Sequence, residues 1–261
     1  MSSDSNGTNH ISKKPTKRLA KPIIDDTNRD YQFTDSDIEV VSSDDKRFKV
    51  HTWVLMAGSV VFRDMLQVGK SAREAGEVVF TDPKIETSTI LQLFFGVCYK
   101  SVIADPAHTG KTGRYEDLIA LAQKYEAETV IGTIKTSLYK WIGFGLICPF
   151  NSLVLAARLD DIQIATAAIS KAEDWMYVDV QKETEKDLLD LRGILGCNAI
   201  DLTSISFKDF ALLPDEYKFA LLRASRPSGG LYAGKVDWTE IAKSFYIVMT
   251  KIRASPKSKV S

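Results

Sequence analysis

Between Ile38 and Leu66 the spacing of the apolar residues changes from every second position to every third or fourth, and few folds accommodate that switch in so short a span. Ile38-Glu39-Val40-Val41 is a β-prone run. Ser42-Ser43-Asp44-Asp45-Lys46 supplies turn residues, and Phe48-Lys49-Val50 alternates apolar with polar, so the stretch reads as a hairpin. From Thr52 onward Val54, Leu55 and Met56, then Val61, Phe62, Met65 and Leu66, suit two short helices. Ala57-Gly58-Ser59 separates them, with Ser59 placed to cap the second. A polar connector, residues 67–76, leads to a third strand at Glu77-Val78-Val79-Phe80, closed by Thr81-Asp82-Pro83. Ile90, Leu93, Phe94 and Val97 then mark an apolar helix, residues 100–114 a loop, and Tyr115–Tyr125 and Thr129–Tyr139 two more helices. Early strands followed by helices throughout predict an α+β class, a small sheet edged by a helical cluster.

The rest of the chain reads as an all-helical C-terminal region. Leu153–Leu159, Ile162–Trp175, Glu185–Leu195, Pro214–Leu222 and Trp238–Ile252 all carry helical apolar spacing, with Pro214 suited to a first helical position. Arg226-Pro227-Ser228-Gly229-Gly230 reads as a loop. The N-terminal residues are rich in Ser, Asp, Asn and Lys and poor in apolar anchors, so 1–32 are expected to be a disordered tail. The expected organisation is therefore 1–32 tail, 33–140 first domain, 141–253 helical domain and 254–261 a second tail.

Four blocks, in order, resemble the BTB/POZ family, and fungal members of it in particular. Ser36-Asp37-Ile38-Glu39-Val40 is similar to the family's S-D-V-x-V opening strand. Phe48-Lys49-Val50-His51 through Val54-Leu55, Ser59, Phe62 and Met65-Leu66 resembles its F-x-V-H-x-x-V-L-x-x-x-S-x-x-F-x-x-M-L block. Leu91–Tyr99 is similar to the L-x-x-x-Y helix end, and Leu118–Tyr125 to L-L-x-A-A-x-K-Y. The resemblance implies a BTB/POZ fold in which Asp37, His51, Leu55, Ser59, Phe62 and Tyr125 are structural motif residues. A lone His where a strand passes into a helix is in any case more often a hydrogen-bonded boundary residue than a catalyst.

The catalytic and ligand motifs that the sequence suggests are each incomplete. Gly110-Lys111-Thr112 ends like a phosphate-binding loop, but the Gly such a loop needs five residues earlier is Asp105. His10, His51 and His108 are scattered, and Cys98, Cys148 and Cys197 lack a metal-ligand spacing. Asp160-Asp161 and Asp25-Asp26 are neighbours that point apart on a helix and read as caps or solvated faces. No catalytic residue, cofactor or metal is expected, and the chain is read as a binding protein rather than an enzyme.

The expected function is protein–protein association, as an adaptor or by self-association as a homodimer, which the resemblance implies. Trp53 and Met56 lie three apart on the first helix and align with positions that meet the second protomer in dimeric family members. They are either an association surface or a pair packed beneath residues 19–36. Alternatives from the family are a nuclear, transcription-associated regulator and a substrate adaptor for a cullin-type ubiquitin ligase. For the latter the connector offers only Ala72-Arg73-Glu74, whose apolar member is small. Lys+Arg and Asp+Glu both total 34, so no global charge draws the chain to nucleic acid or an anionic membrane. An odd count of 3 cysteines without a signal-like leader is expected of an intracellular chain, cytoplasmic or nuclear. The basic cluster at Lys13, Lys14, Lys17 and Arg18 is the one feature favouring the nucleus.

Overall fold

A computed structural model of the protein describes residues 11–13, 31–68, 76–106, 112–173, 175–177, 198–226 and 236–255. These fall into two compact units. One holds the described residues of 19–105 and 111–138; the other, which includes the short strand β1 (Ile11–Lys13), holds the remainder.

In the first of these units, β2 (Ile38–Val41) and β3 (Arg47–Val50) form the expected hairpin, with Ile38 opposite Val50 and Val41 opposite Arg47. Asp45 takes the left-handed turn conformation, and the Ser42 hydroxyl accepts from the Lys46 N–H, so the polar run closes on itself. Along β3 the alternation sends Arg47 and Lys49 to solvent and Phe48 and Val50 inward. β4 (Glu77–Val79) pairs parallel to β2, giving the order β3-β2-β4. Across the solvent face Arg47 bridges Glu39 and Glu77, linking all three strands.

Helices α1 (Thr52–Gly58) and α2 (Val60–Val68) follow the hairpin. The extended backbone at Ser59 separates them, and its hydroxyl accepts from the Phe62 N–H at 3.0 Å, the cap its position predicts. α3 (Ser88–Lys100) buries Ile90, Leu91, Phe94, Phe95 and Val97. Glycine matters where α1 meets α3: a Cβ on Gly58 would stand 3.0 Å from Cys98 Sγ. α4 (Gly113–Lys124) buries Tyr115, Leu118 and Leu121. α5 (Glu128–Phe144) runs five residues beyond the expected end at Tyr139, so the division between units, at 138/139, and the expected boundary at 140/141 both fall inside a helix.

The second unit packs α6 (Pro149–Arg158) on α7 (Ile162–Ser170), and α7 and α9 (Asp215–Ser225) on α10 (Trp238–Ala254). Asp161 caps α7 by accepting from the N–H groups of Gln163 and Ile164, and Asp160 pairs with Arg253 of α10, so the adjacent carboxylates do separate jobs. A short helix, α8 (Phe207–Phe210), is capped by Ser206.

Several expectations are corrected. The tail does not begin to order at Phe33: β1 pairs antiparallel with β5 (Trp175–Tyr177), Tyr31 is buried and Gln32 bridges to Lys49. Lys13 of the basic cluster is therefore in a strand, while Lys14, Lys17 and Arg18 lie outside the described residues. The helix expected to reach Trp175 stops at Ser170: the Lys171 and Ala172 N–H groups bond back only three residues, to Ala168 and Ile169, and the Ala172 carbonyl accepts from the Trp175 N–H at 3.0 Å and from Asn198 Nδ2 at 2.7 Å. Pro214 is the N-cap rather than the first helical residue. The helix expected at Glu185–Leu195 and most of the loop at 226–230 lie outside the described residues, as do the last six positions of the chain.

Candidate protein-interaction surface

The residues singled out by sequence converge on the strand-to-helix junction of the first unit. Asp37, one residue before β2, accepts the Thr52 N–H at 2.7 Å and so satisfies an otherwise unbonded donor at the start of α1. His51 stands between β3 and α1 with its backbone N–H donated to the Tyr99 hydroxyl at 2.9 Å. The same hydroxyl lies 2.9 Å from His51 Nδ1, and His51 Nε2 lies 3.3 Å from the Asp35 carboxylate. Which of Nδ1 and the hydroxyl donates to the other follows the ring's tautomer. Every polar atom of the imidazole is occupied by neighbours of its own unit.

An aromatic cluster sets this junction. Phe33 stacks on Tyr99 at 5.0 Å and meets the His51 ring at 4.9 Å, while Tyr31 packs edge-on against Phe95 at 5.5 Å. Burial, then the neighbouring Cys98 and Tyr99, pushes the Tyr31 hydroxyl up to about 12. Residues 31–33 lie along the outer edge of β3: the Lys49 N–H donates to the Tyr31 carbonyl at 2.7 Å, and the Phe33 N–H to the Lys49 carbonyl at 3.2 Å.

A second polar cluster holds the helices. Glu86, only 2% exposed, accepts from the backbone N–H groups of Thr81 and Asp82 at 2.7 and 2.6 Å. Its other oxygen accepts from Lys124 Nζ at 2.6 Å and the Tyr125 hydroxyl at 2.7 Å. Burial pushes the Glu86 carboxyl up, but the hydrogen bonds from Lys124, Asp82, Tyr125 and Thr81 outweigh it and leave the group below the usual carboxylate value. Tyr125 is pushed the other way, by burial and by donating to Glu86. Its ring stacks on Phe62 at 4.6 Å, and its carbonyl accepts from the Ser59 hydroxyl. Ser59, Phe62 and Tyr125 therefore join α1, α2 and the end of α4, while Leu55 is fully buried.

On the outer side of α1 the picture reverses. Trp53 is 66% exposed, with its ring 6.1 Å from His51, and Met56 is half-buried. Val60, at the start of α2, is 40% exposed and extends the apolar run. Glu86 and Tyr31 were missed by sequence reasoning, while Tyr99 entered it only as the end of the family-like helix.

Among the described residues no group of three or more His, Cys, Asp or Glu could hold a metal ion, and no helix is long and apolar enough to cross a membrane. Burial pushes the Cys98 and Cys148 thiols up to about 12 and about 11. His10, His108, Cys197, Asp25, Asp26, Lys111 and the Ala72-Arg73-Glu74 triplet lie outside the described residues.

Among curated proteins none is similar enough to the chain to count as a match. The family model of the BTB/POZ domain matches residues 26–140, which covers the hairpin, the third strand and helices α1 to α4 with most of α5. Sheet order, the Asp37 and His51 junction and the Lys124-Tyr125 clamp all lie inside that match, and residues 26–140 of this chain are a BTB/POZ domain, a member of the family of modules that generally bind other proteins.

Proposed function

We propose that the chain is a non-catalytic association protein whose BTB/POZ domain binds a second copy of itself through the face bearing Trp53 and Met56. The observation that carries this is Trp53: a large aromatic ring left 66% exposed on a helix whose inward positions, Val54 and Leu55, are already filled. A binding role rather than chemistry is supported by how the unit uses its polar groups. Glu86 accepts from four donors, both ring nitrogens of His51 face Tyr99 and Asp35, and Asp37 caps the start of α1, all within the same unit. The domain is read as spanning 33–140, with a helical region at 141–253 as its companion. Sedimentation of the full chain tests the proposal. The wild type is expected to show a mass that rises with concentration, and Trp53→Asp a folded monomer. A wild type that stays monomeric at high micromolar concentration overturns it.

A further inference from the structure

We infer that the edge of β5 is a strand-accepting site for an extended peptide segment, and that the chain's own Ile11–Lys13 fills it as a displaceable cover. The site takes its partner by backbone pairing and is independent of the Trp53 face.

β5 is held in place without β1. The Trp175 N–H donates to the Ala172 carbonyl at 3.0 Å, and the Ala199 N–H donates to the Trp175 carbonyl at 2.8 Å. Asn198 Nδ2 donates to the same Ala172 carbonyl at 2.7 Å. Trp175 therefore turns its carbonyl toward Ala199, and alternation along the strand turns the backbone polar groups of Met176 the other way. That is toward Ser12, its partner in the register, so Ser12 and Met176 are the hydrogen-bonded pair. Removing β1 would leave the Met176 N–H and C=O open on a strand that is still anchored.

The cover comes from elsewhere in the chain. The described residues of 19–105, which follow it in sequence, belong to the other compact unit. β1 thus reaches β5 as an added strand rather than as a hairpin partner. Both strands lie outside residues 26–140, so this edge is no part of the BTB/POZ domain.

The register states the chemistry of the occupant. Ile11 stands opposite Tyr177 and Lys13 opposite Trp175. A β-branched residue opposite an aromatic one is a favoured cross-strand pair, and a cation opposite an aromatic one is another. An extended segment that places a β-branched residue two positions before a basic one, with no proline between them, fits the same edge.

A fluorescein-labelled synthetic peptide of residues 8–16 reads the site by anisotropy. The full chain carrying Ser12→Pro lacks the donor of the paired position and is expected to bind the peptide about tenfold or more tightly than wild type, because its own strand no longer competes. The same peptide carrying Ser12→Pro, and a scrambled peptide of equal charge, are expected to stay unbound. Circular dichroism checks the fold of the variant chain. If the Ser12→Pro chain binds the peptide no better than wild type, or binds the scrambled peptide equally well, β5 is not a strand-accepting site. If the Ser12→Pro chain fails to fold, β1 is an integral strand of its unit, and the displaceable cover is equally overturned.

Discussion

The Tyr125 hydroxyl donates to Glu86 Oε1 at 2.7 Å, joining the last turn of α4 to the loop that follows β4. The same oxygen receives Lys124 Nζ at 2.6 Å, so a Lys-Tyr dipeptide closes on one buried carboxylate. The cluster ties sheet to helices at a point where no apolar contact could satisfy the Thr81 and Asp82 N–H groups.

That carboxylate makes stability depend on acid. Its folded-state value lies below its ordinary value of 4.5, so the stability it contributes is present above pH 4.5 and is lost as pH falls through the lower folded value. Glu86→Gln keeps the shape but not the charge. It is expected to be less stable than wild type by about 1–3 kcal/mol at neutral pH and to lose less on acidification. Urea midpoints at pH 7 and below pH 4.5 check this. Equal slopes with pH in both proteins would show that Glu86 does not carry the effect.

Phe62 lies flat against the Tyr125 ring and meets Phe80 and Phe94 edge-on, with 1% of its surface exposed. Phe62→Ala is expected to cost about 3–5 kcal/mol, the transfer of the ring plus the cavity it leaves. An unchanged denaturant midpoint would place the ring outside the core.

The hairpin and the α1–α2 pair were legible because alternation and helical spacing report which side of an element is buried, and Ser59 announced its cap. Trp175 was not legible in that way. Ile164, Ala165, Ala168, Ile169 and Ala172 continue a helical stripe toward it, but the Lys171 and Ala172 N–H groups bond back only three residues, and the Ala172 carbonyl accepts from Trp175 and from Asn198, 26 residues beyond Ala172. Glu86 and Tyr31 were invisible for a related reason. A single polar residue after Thr81-Asp82-Pro83, or a single aromatic at the end of a polar tail, carries no period, and its burial is decided by distant partners. Trp53 was the intermediate case: helical spacing put it on the side away from Val54 and Leu55, but only the fold shows nothing of the 31–36 segment covering it.

Tyr31 marks how far an N-terminal truncation can go. Its ring is 7% exposed between Phe95 and Tyr99, and its carbonyl holds the Lys49 N–H. Tyr31→Ala is expected to destabilise by about 2–4 kcal/mol, and Tyr31→Phe by less than about 1 kcal/mol, because the ring rather than the hydroxyl is what packs. Thermal melts of the two variants separate the cases. If Tyr31→Ala melts with the wild type, the segment at 31–33 adds nothing to the domain.

Trp53 and Met56 share a face but not an exposure, and the difference decides which substitution reads the interface. Trp53 is 66% exposed, so Trp53→Asp buries no charge in the free chain and is expected to leave the melting temperature nearly unchanged. Met56 is half-buried on the seam between α1 and α2, where Arg63 reaches its carbonyl, so Met56→Asp sets a carboxylate partly into apolar surroundings. That variant is expected to lose about 1–3 kcal/mol of stability whether or not the chain associates. A Trp53→Asp, Met56→Asp double change would therefore mix two effects, while the Trp53 variant alone isolates binding. An aromatic anchor at the centre of a two-fold contact enters it twice, and its loss should weaken dimerisation by about 2–4 kcal/mol, more than tenfold in the dissociation constant. Paired measurements of melting and of sedimentation on each single variant decide the matter. A Trp53→Asp chain that melts several degrees lower would show that the ring supports the fold, and the outer face of α1 would lose its claim to be an interface.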